Sequence, residues 1–125
     1  MPAFDRQFTP PAPVANVIVT HPVSIDNSGL IRGKLDTGAD LTVIPEILVQ
    51  QLGLSARAHI WARGCDGTYS QRPVYYVRFT LEGHNLPSMR CIAADRPNVL
   101  VGRNVLNRFF ITLDGKNLQF DLHPG

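Results

Sequence analysis

Two carboxylates, Asp36 and Asp40, stand in an otherwise apolar part of the sequence, "GKLDTGADLTVIPEIL" (residues 33–48). Asp36 follows a predicted strand, and Thr37 and Gly38 turn the chain before the next apolar segment. A carboxylate at the end of a buried strand costs several kcal/mol unless it is paired or hydrogen-bonded. Asp36 is therefore a turn former, a buried anchor or half of a pair of carboxylates that performs general acid–base chemistry.

The length of the chain bounds the number of domains that can hold these residues. A chain of 125 residues can form one domain with a modest core, and we place that domain at residues 14–125. Residues 1–13 read as a flexible, proline-rich N-terminal tail, because Pro10, Pro11 and Pro13 exclude a regular helix.

Composition and charge exclude several classes of function. The net charge is +2, and the basic residues are scattered from Arg6 to Arg108, which argues against nucleic-acid binding. No apolar run approaches the roughly 20 residues that span a membrane. The N-terminus does not resemble a secretory signal, so a cytoplasmic location is the default expectation. Two cysteines, Cys65 and Cys91, and four isolated histidines form no zinc-ligand pattern, and we predict no metal and no cofactor.

The rest of the sequence predicts a mainly β fold with one or two short helices. "NVIVTHPVSI", "LIRGKL" and "VYYVRFTL" are typical of strands. A short helix is expected in "PEILVQQL", which ends before Gly53, and a second one in "RNVLNRFF". Three dipeptides are expected at hairpin tips, namely Asp66-Gly67, Glu82-Gly83 and Asp114-Gly115.

Two segments together resemble the retropepsin-like aspartic proteases, the family of the retroviral proteases. The first is "LDTGADLTVIP" (residues 35–45), and the second is "PNVLVGRNVLNRF" (residues 97–109). The resemblance extends over roughly residues 17–122. It implies a closed β-barrel-like acid protease (retropepsin) fold. The sequence has one Asp-Thr-Gly and is too short for two lobes, so the resemblance also implies a symmetric homodimer.

The resemblance also implies a reaction. Asp36, Thr37 and Gly38 would form the catalytic segment of an aspartic endopeptidase, in which two Asp36 carboxylates, one from each subunit, share a proton and activate a water. The Thr37 hydroxyl would bond across the subunit interface. The partner would be a peptide or protein substrate in extended conformation, bound without nucleic acid or membrane.

The same resemblance assigns further residues. Asp40 would pair with Arg103 beneath the active-site loop, so that Arg103→Ala would unfold or monomerise the protein. A glycine-bearing hairpin, "WARGCDGTYSQRPVYY", would close over the substrate as a flap. Lys34 departs from the family, in which its position is usually apolar. The expected substrate-binding residues are Ala39, Asp40, Leu41, Val43, Gly64, Cys65, Asp66, Gly67, Pro97, Asn98 and Leu100.

Two rival functions remain open on the sequence alone. The main one is a catalytically silent dimerisation or peptide-binding module on the same fold, because a fold does not by itself determine function. The intact Asp36, Thr37 and Gly38 favour the enzyme. A small β-barrel that binds nucleic acid is disfavoured by the dispersed charge. The segment "NLQFDL" either supplies a strand to the dimer interface or closes the sheet of its own subunit.

Overall fold

The computed structural model describes residues 1–63 and 66–125, and most of these residues lie in β-strands. Within these residues, two short helices interrupt the strands, as the sequence predicted. In chain order the elements are β1 (Val14–Thr20), β2 (Ser28–Leu35), β3 (Thr42–Pro45), α1 (Glu46–Leu52), β4 (Ala58–Arg63), β5 (Tyr69–Leu81), β6 (His84–Ala94), β7 (Val99–Val101), α2 (Arg103–Leu106), β8 (Phe110–Asp114) and β9 (Gln119–His123).

Six of the strands form a closed barrel in the order β1-β2-β7-β3-β6-β5. The barrel closes where β1 pairs antiparallel with β5, from Val17 opposite Leu81 to Thr20 opposite Arg78. Side chains alternate between the interior and the outer surface, so that Val17 and Leu81 are fully buried, whereas Thr20 and Arg78 are not. This closure confirms the predicted closed, mainly β fold.

Two hairpins extend beyond the barrel. Strand β4 pairs with the first half of β5 alone, from Ala58 opposite Val74 to Arg63 opposite Tyr69. Strands β8 and β9 form a separate two-stranded sheet, as predicted from "ITLDGKNLQF". The predicted tip at Glu82 and Gly83 is also present, because both residues have the positive φ that a tight hairpin turn requires.

The helices begin and end close to the predicted positions. Helix α1 starts after Pro45, which still has extended backbone, and it ends at Gly53 with φ of 65°. The Gly53 N–H donates to Gln50 O, which satisfies one carbonyl of the last turn. Helix α2 has four residues. No helix in residues 1–63 and 66–125 combines the length and the apolar character that crossing a membrane would need.

The N-terminal residues contact the barrel and the β8–β9 sheet. Ala3 forms a bridge with Gln119, and the ring of Phe4 lies 6.4 Å from the ring of Phe120. A second bridge joins Asp5 to Ala12, so residues 5–12 form a loop that folds back on itself. The flexibility predicted for residues 1–13 stays a prediction.

Candidate active site

The carboxylate of Asp36 is partly buried and lies in the turn that follows β2. The Asp36 N–H donates to Val101 O (2.9 Å), which extends the pairing of β2 with β7 by one residue. The Gly38 N–H donates to the Asp36 carboxylate at 2.8 Å. A Cβ on Gly38 would lie 3.1 Å from the same carboxylate oxygen. Glycine at this position therefore lets the backbone approach and orient the carboxylate.

A buried polar network joins the start of β3, which follows this turn, to α2. Thr42 is fully buried, and its hydroxyl donates to Asn104 Oδ1 (3.0 Å) and accepts from the Gly102 N–H (3.1 Å). Asn104 Oδ1 also accepts from the Thr42 N–H, and Asn104 Nδ2 donates to Arg90 O. No buried side-chain polar atom of the described residues lacks a partner. Gly102 and Asn104 thus provide hydrogen-bond partners for the buried Thr42. The sequence did not indicate this structural role.

Arg103 connects both ends of the Asp36–Asp40 segment. Its guanidinium donates to the Asp40 carboxylate and, at 2.9 Å, to Thr37 O, while its backbone N–H donates to Ala39 O. The structure thus brings Asp40 and Arg103 together. The pair lies at the surface of the single chain, with the side chains 86% and 45% exposed. The cost expected from breaking a buried pair therefore does not apply to it.

A cleft of about 500 Å³ lies between the Asp36 turn and the β4–β5 hairpin. Gly38, Ala39, Asp40 and Leu41 form one wall, so four of the predicted site residues line it. Trp61 of the hairpin is 70% exposed, which leaves a large apolar surface for a bound molecule. The remaining lining residues were not predicted from the sequence: Ile60, Trp61, Ala62, Arg63, Tyr69 and Ile92.

Four other predicted substrate-binding residues, Val43, Pro97, Asn98 and Leu100, do not line this cleft. Val43 and Leu100 are paired across β3 and β7, with both side chains partly buried on the outer side of the barrel. Pro97 and Asn98 form the turn before β7, where Asn98 O accepts from Arg96 Nε at 2.6 Å.

The predicted flap tip is described in part. Gly64 and Cys65 lie outside the described residues. Asp66 and Gly67 lie at the end of the hairpin, where the hydroxyl and the N–H of Thr68 donate to the Asp66 carboxylate. These hydrogen bonds lower the pKa of Asp66, because they stabilise its ionised form. Neither Asp66 nor Gly67 lines the cleft in this conformation.

Outward-facing side chains form a row that runs from the cleft towards Asp36. The Cα partners across four adjacent strands are Lys34 and Leu100, Leu100 and Val43, and Val43 and Ile92. Directly paired residues share a face of the sheet, and all four of these side chains are partly buried. Ile92 lines the cleft, so the row continues the cleft surface. The two neighbours of Lys34 in β2, Gly33 and Leu35, face the buried core.

A larger cavity, of about 600 Å³, lies elsewhere on the surface. Its lining includes His21, Arg57 and Tyr76 and contains none of the predicted site residues. Size alone would select this cavity as the functional site. The oriented carboxylate and the hydrogen-bonded loop instead favour the smaller cleft.

Comparison with known proteins identifies the family of the chain. The family model described as aspartyl protease matches residues 21–105, which include both the Asp36 turn and the segment from Gly102 to Asn104. The chain belongs to the aspartyl protease family. Within it, the closed barrel and the Asp-Thr-Gly turn identify the chain as retropepsin-like. No curated protein sequence matches the chain.

Solved structures share the fold of this aspartyl protease domain. The solution structure of simian foamy virus (mac) protease superposes with a TM-score of 0.57 at 16% sequence identity, covering 76% of this chain and 92% of the viral one. A foamy viral protease-reverse transcriptase, solved in complex with an RNA/DNA hybrid, gives 0.61 at 17% identity, covering 79% of this chain and 12% of that protein. At such low identity these likenesses show the retropepsin fold alone.

Proposed function

We propose that this aspartyl protease family member is an endopeptidase that works as a homodimer, with Asp36 of each subunit meeting at the two-fold axis. The observation that carries the proposal is the Asp36 turn itself. Its carboxylate accepts from the Gly38 N–H, and Arg103 and the Thr42 network hold the surrounding loop. These 125 residues contain one Asp-Thr-Gly, and a symmetric pair of subunits would supply the second carboxylate.

In the proposed reaction the two carboxylates share one proton, because like charges at short distance do not both ionise. The ionised carboxylate takes a proton from a water, whose oxygen attacks the carbonyl carbon of the peptide bond. The protonated carboxylate donates to the carbonyl oxygen. The carboxylate that took the water proton then passes it to the leaving nitrogen, and the C–N bond breaks. A hydroxyl of the tetrahedral intermediate returns its proton to the other carboxylate, so the pair again holds one proton. Thr37, beside Asp36, would join the two turns across the interface.

The substrate proposed for the cleft is an extended peptide. Strand β4 and the Asp36–Asp40 segment form opposite walls, and a peptide between them would offer its backbone to both. Ala39, Asp40 and Leu41 would contact the peptide from one side, and Trp61 from the other. The remaining predicted substrate-binding residues, including the flap-tip residues 64–67, stay proposals.

The β8–β9 sheet supports the proposed dimer. Among the described residues, β8 pairs with β9 alone, so one edge of this sheet is open to a further strand. Phe110 and Leu113 are exposed on β8. A second copy would cover these apolar side chains, and sedimentation equilibrium would report the mass of the assembly.

Mixing two variants tests the shared pair directly. Wild-type protein and Asp36→Asn are mixed in equal amounts, and cleavage of a diverse peptide library is followed by mass spectrometry. If each site needs both carboxylates, randomly exchanged subunits retain about a quarter of the wild-type activity per mole of chain, against about a half for independent subunits. The control is Asp26→Asn, which makes the same charge change in an exposed loop. Cleavage that persists in pure Asp36→Asn would contradict the proposal, and a stable dimer without cleavage would support the silent module.

A further inference from the structure

Lys34 is placed where a positive charge would meet a peptide bound beside Asp36. The side chains of residues i and i+2 point to the same face of a strand, and Asp36 extends the pairing of β2, so the alternation carries from Lys34 to Asp36. Their Cα atoms are therefore about 7 Å apart, the length of two extended residues. A bound peptide whose scissile bond lies at Asp36 would pass Lys34 within about two residues.

The Lys34 ammonium is held in place by an aromatic ring. Its Nζ lies 5.1 Å from the centroid of the Phe8 ring, within the range of a cation–π contact. The loop of residues 5–12 that carries Phe8 is fastened to β2 by the ion pair of Asp5 with Arg32 (4.0 Å). The ring therefore positions the charge before a ligand arrives, which reduces the conformational entropy lost on binding.

Lys34 forms no ion pair with the described residues of its own chain. Among residues 1–63 and 66–125, the two ion pairs are Arg32 with Asp5 and Arg103 with Asp40, and neither involves Lys34. Its nearest carboxylate along the strand face is that of Asp36, which accepts instead from the Gly38 N–H. A partly buried lysine whose ammonium contacts an aromatic ring can still bind an anionic ligand.

The row that begins at Lys34 is otherwise apolar. Leu100, Val43 and Ile92 follow it across the barrel and lead to the cleft. A peptide on this row would meet aliphatic side chains and, beside the proposed reacting carboxylates, the Lys34 cation. The cleft beyond the row is lined in addition by Asp40 and Arg63. We propose that Lys34, held against Phe8, makes this cleft select peptides with a glutamate or aspartate within two residues of the scissile bond. This inference rests on the proposed peptide-binding function of the site.

Binding measurements with matched peptides test the selectivity without requiring turnover. The probes are fluorescent ten-residue apolar peptides that carry Glu or Gln at one of the four central positions, and their Kd for Asp36→Asn protein is measured by anisotropy. We expect the Glu peptide to bind roughly five-fold more tightly than its Gln partner at one position at least, and the preference to shrink as salt is added. Adding Lys34→Met should abolish the preference, whereas Lys34→Arg should keep it.

The second lysine of the chain provides a matched control. Lys116 lies exposed in the turn between β8 and β9, so Lys116→Met changes the net charge equally and should leave the Glu preference intact. Phe8→Leu keeps an apolar side chain and removes the ring, and it should reduce the preference without abolishing it. Melting temperatures of all variants separate a loss of selectivity from a loss of fold.

Each possible result of these measurements either supports or overturns the inference. A Glu preference that survives Lys34→Met, or no Glu preference at any position, would overturn the inference. A Lys34→Met variant that loses affinity equally for Glu and Gln peptides would also overturn it, since Lys34 would then only anchor the N-terminal loop. If the Glu preference depends on Lys34 but wild-type protein cleaves none of the peptides, the inference stands and the proposed catalytic function fails.

Discussion

Replacement of Gly102 by alanine tests how tightly the candidate active-site loop is packed. The backbone of Gly102 has φ of −89° and ψ of 178°, which alanine adopts without strain. An added Cβ would lie 2.5 Å from the carbonyl carbon of Leu41, 2.7 Å from its oxygen and 2.8 Å from Thr42 N. All three are backbone atoms, so the clash is relieved only if the backbone moves at the first residue of β3 or just before α2.

Two contributions make up the free-energy cost of that movement. Overpacking of a close contact costs roughly 1–3 kcal/mol. The shift also weakens the hydrogen bond from the Gly102 N–H to the Thr42 hydroxyl, which adds about 1 kcal/mol. We expect Gly102→Ala to lower the free energy of unfolding by about 2–4 kcal/mol, out of a total of roughly 5–15 kcal/mol.

Urea unfolding followed by far-ultraviolet circular dichroism measures this loss. With an m-value of about 1.5 kcal/mol per molar, the midpoint should fall by roughly 1–3 M. Protein concentration is held fixed, because subunit association would otherwise shift the midpoint. The control is Gly115→Ala, since Gly115 has no atom within 4 Å of its added Cβ and no positive φ. Equal midpoints for the two variants would refute the argument that Gly102 is required for close approach.

Two further predictions concern Arg103 and the cysteines. Arg103→Met should lower the free energy of unfolding by only about 0.2–1 kcal/mol, because its pair with Asp40 is exposed. It should nevertheless reduce peptide cleavage roughly ten- to hundred-fold, because the active-site loop is no longer held in place. A stability loss of several kcal/mol would contradict this prediction. Burial raises the pKa of Cys91 to about 12. In a Cys65→Ser chain, iodoacetamide at about pH 8 should therefore leave Cys91 of the folded protein unmodified and should modify it after unfolding in urea. Rapid labelling of the folded protein would contradict the burial of Cys91.

Local features were predictable because they depend on neighbours in the chain. The Glu82–Gly83 turn and the end of α1 at Gly53 each depend on a glycine with positive φ. The β8–β9 hairpin followed from its strand pattern, but its positive φ falls on Leu118 and not on Gly115 of the predicted tip. The Asp36 turn belongs to the same group, since Thr37 and Gly38 follow it directly. In each case the information needed is contained in about five consecutive residues.

The surroundings of the site were predicted less completely. The sequence indicated that Asp40 and Arg103 belong together, but not that their side chains would remain exposed in the single chain. It gave no warning that Thr42 would be the buried polar centre of the loop, because a threonine in "LTVIP" equally suits any strand. The lining of the cleft by Trp61 depends on where the β4–β5 hairpin lies over the barrel, and a hairpin pattern does not specify its position.

The sequence alone determined the turn that carries Asp36, since Asp36, Thr37 and Gly38 are contiguous and their turn is a local structure. The tertiary structure alone decided which residues surround that turn. The contact of Lys34 with Phe8 and the approach of Gly102 to Leu41 join segments that lie 26 and 61 residues apart in the chain. Such contacts arise from closure of the barrel, in which strand order and register are set by the packing of the whole core and not by any one segment.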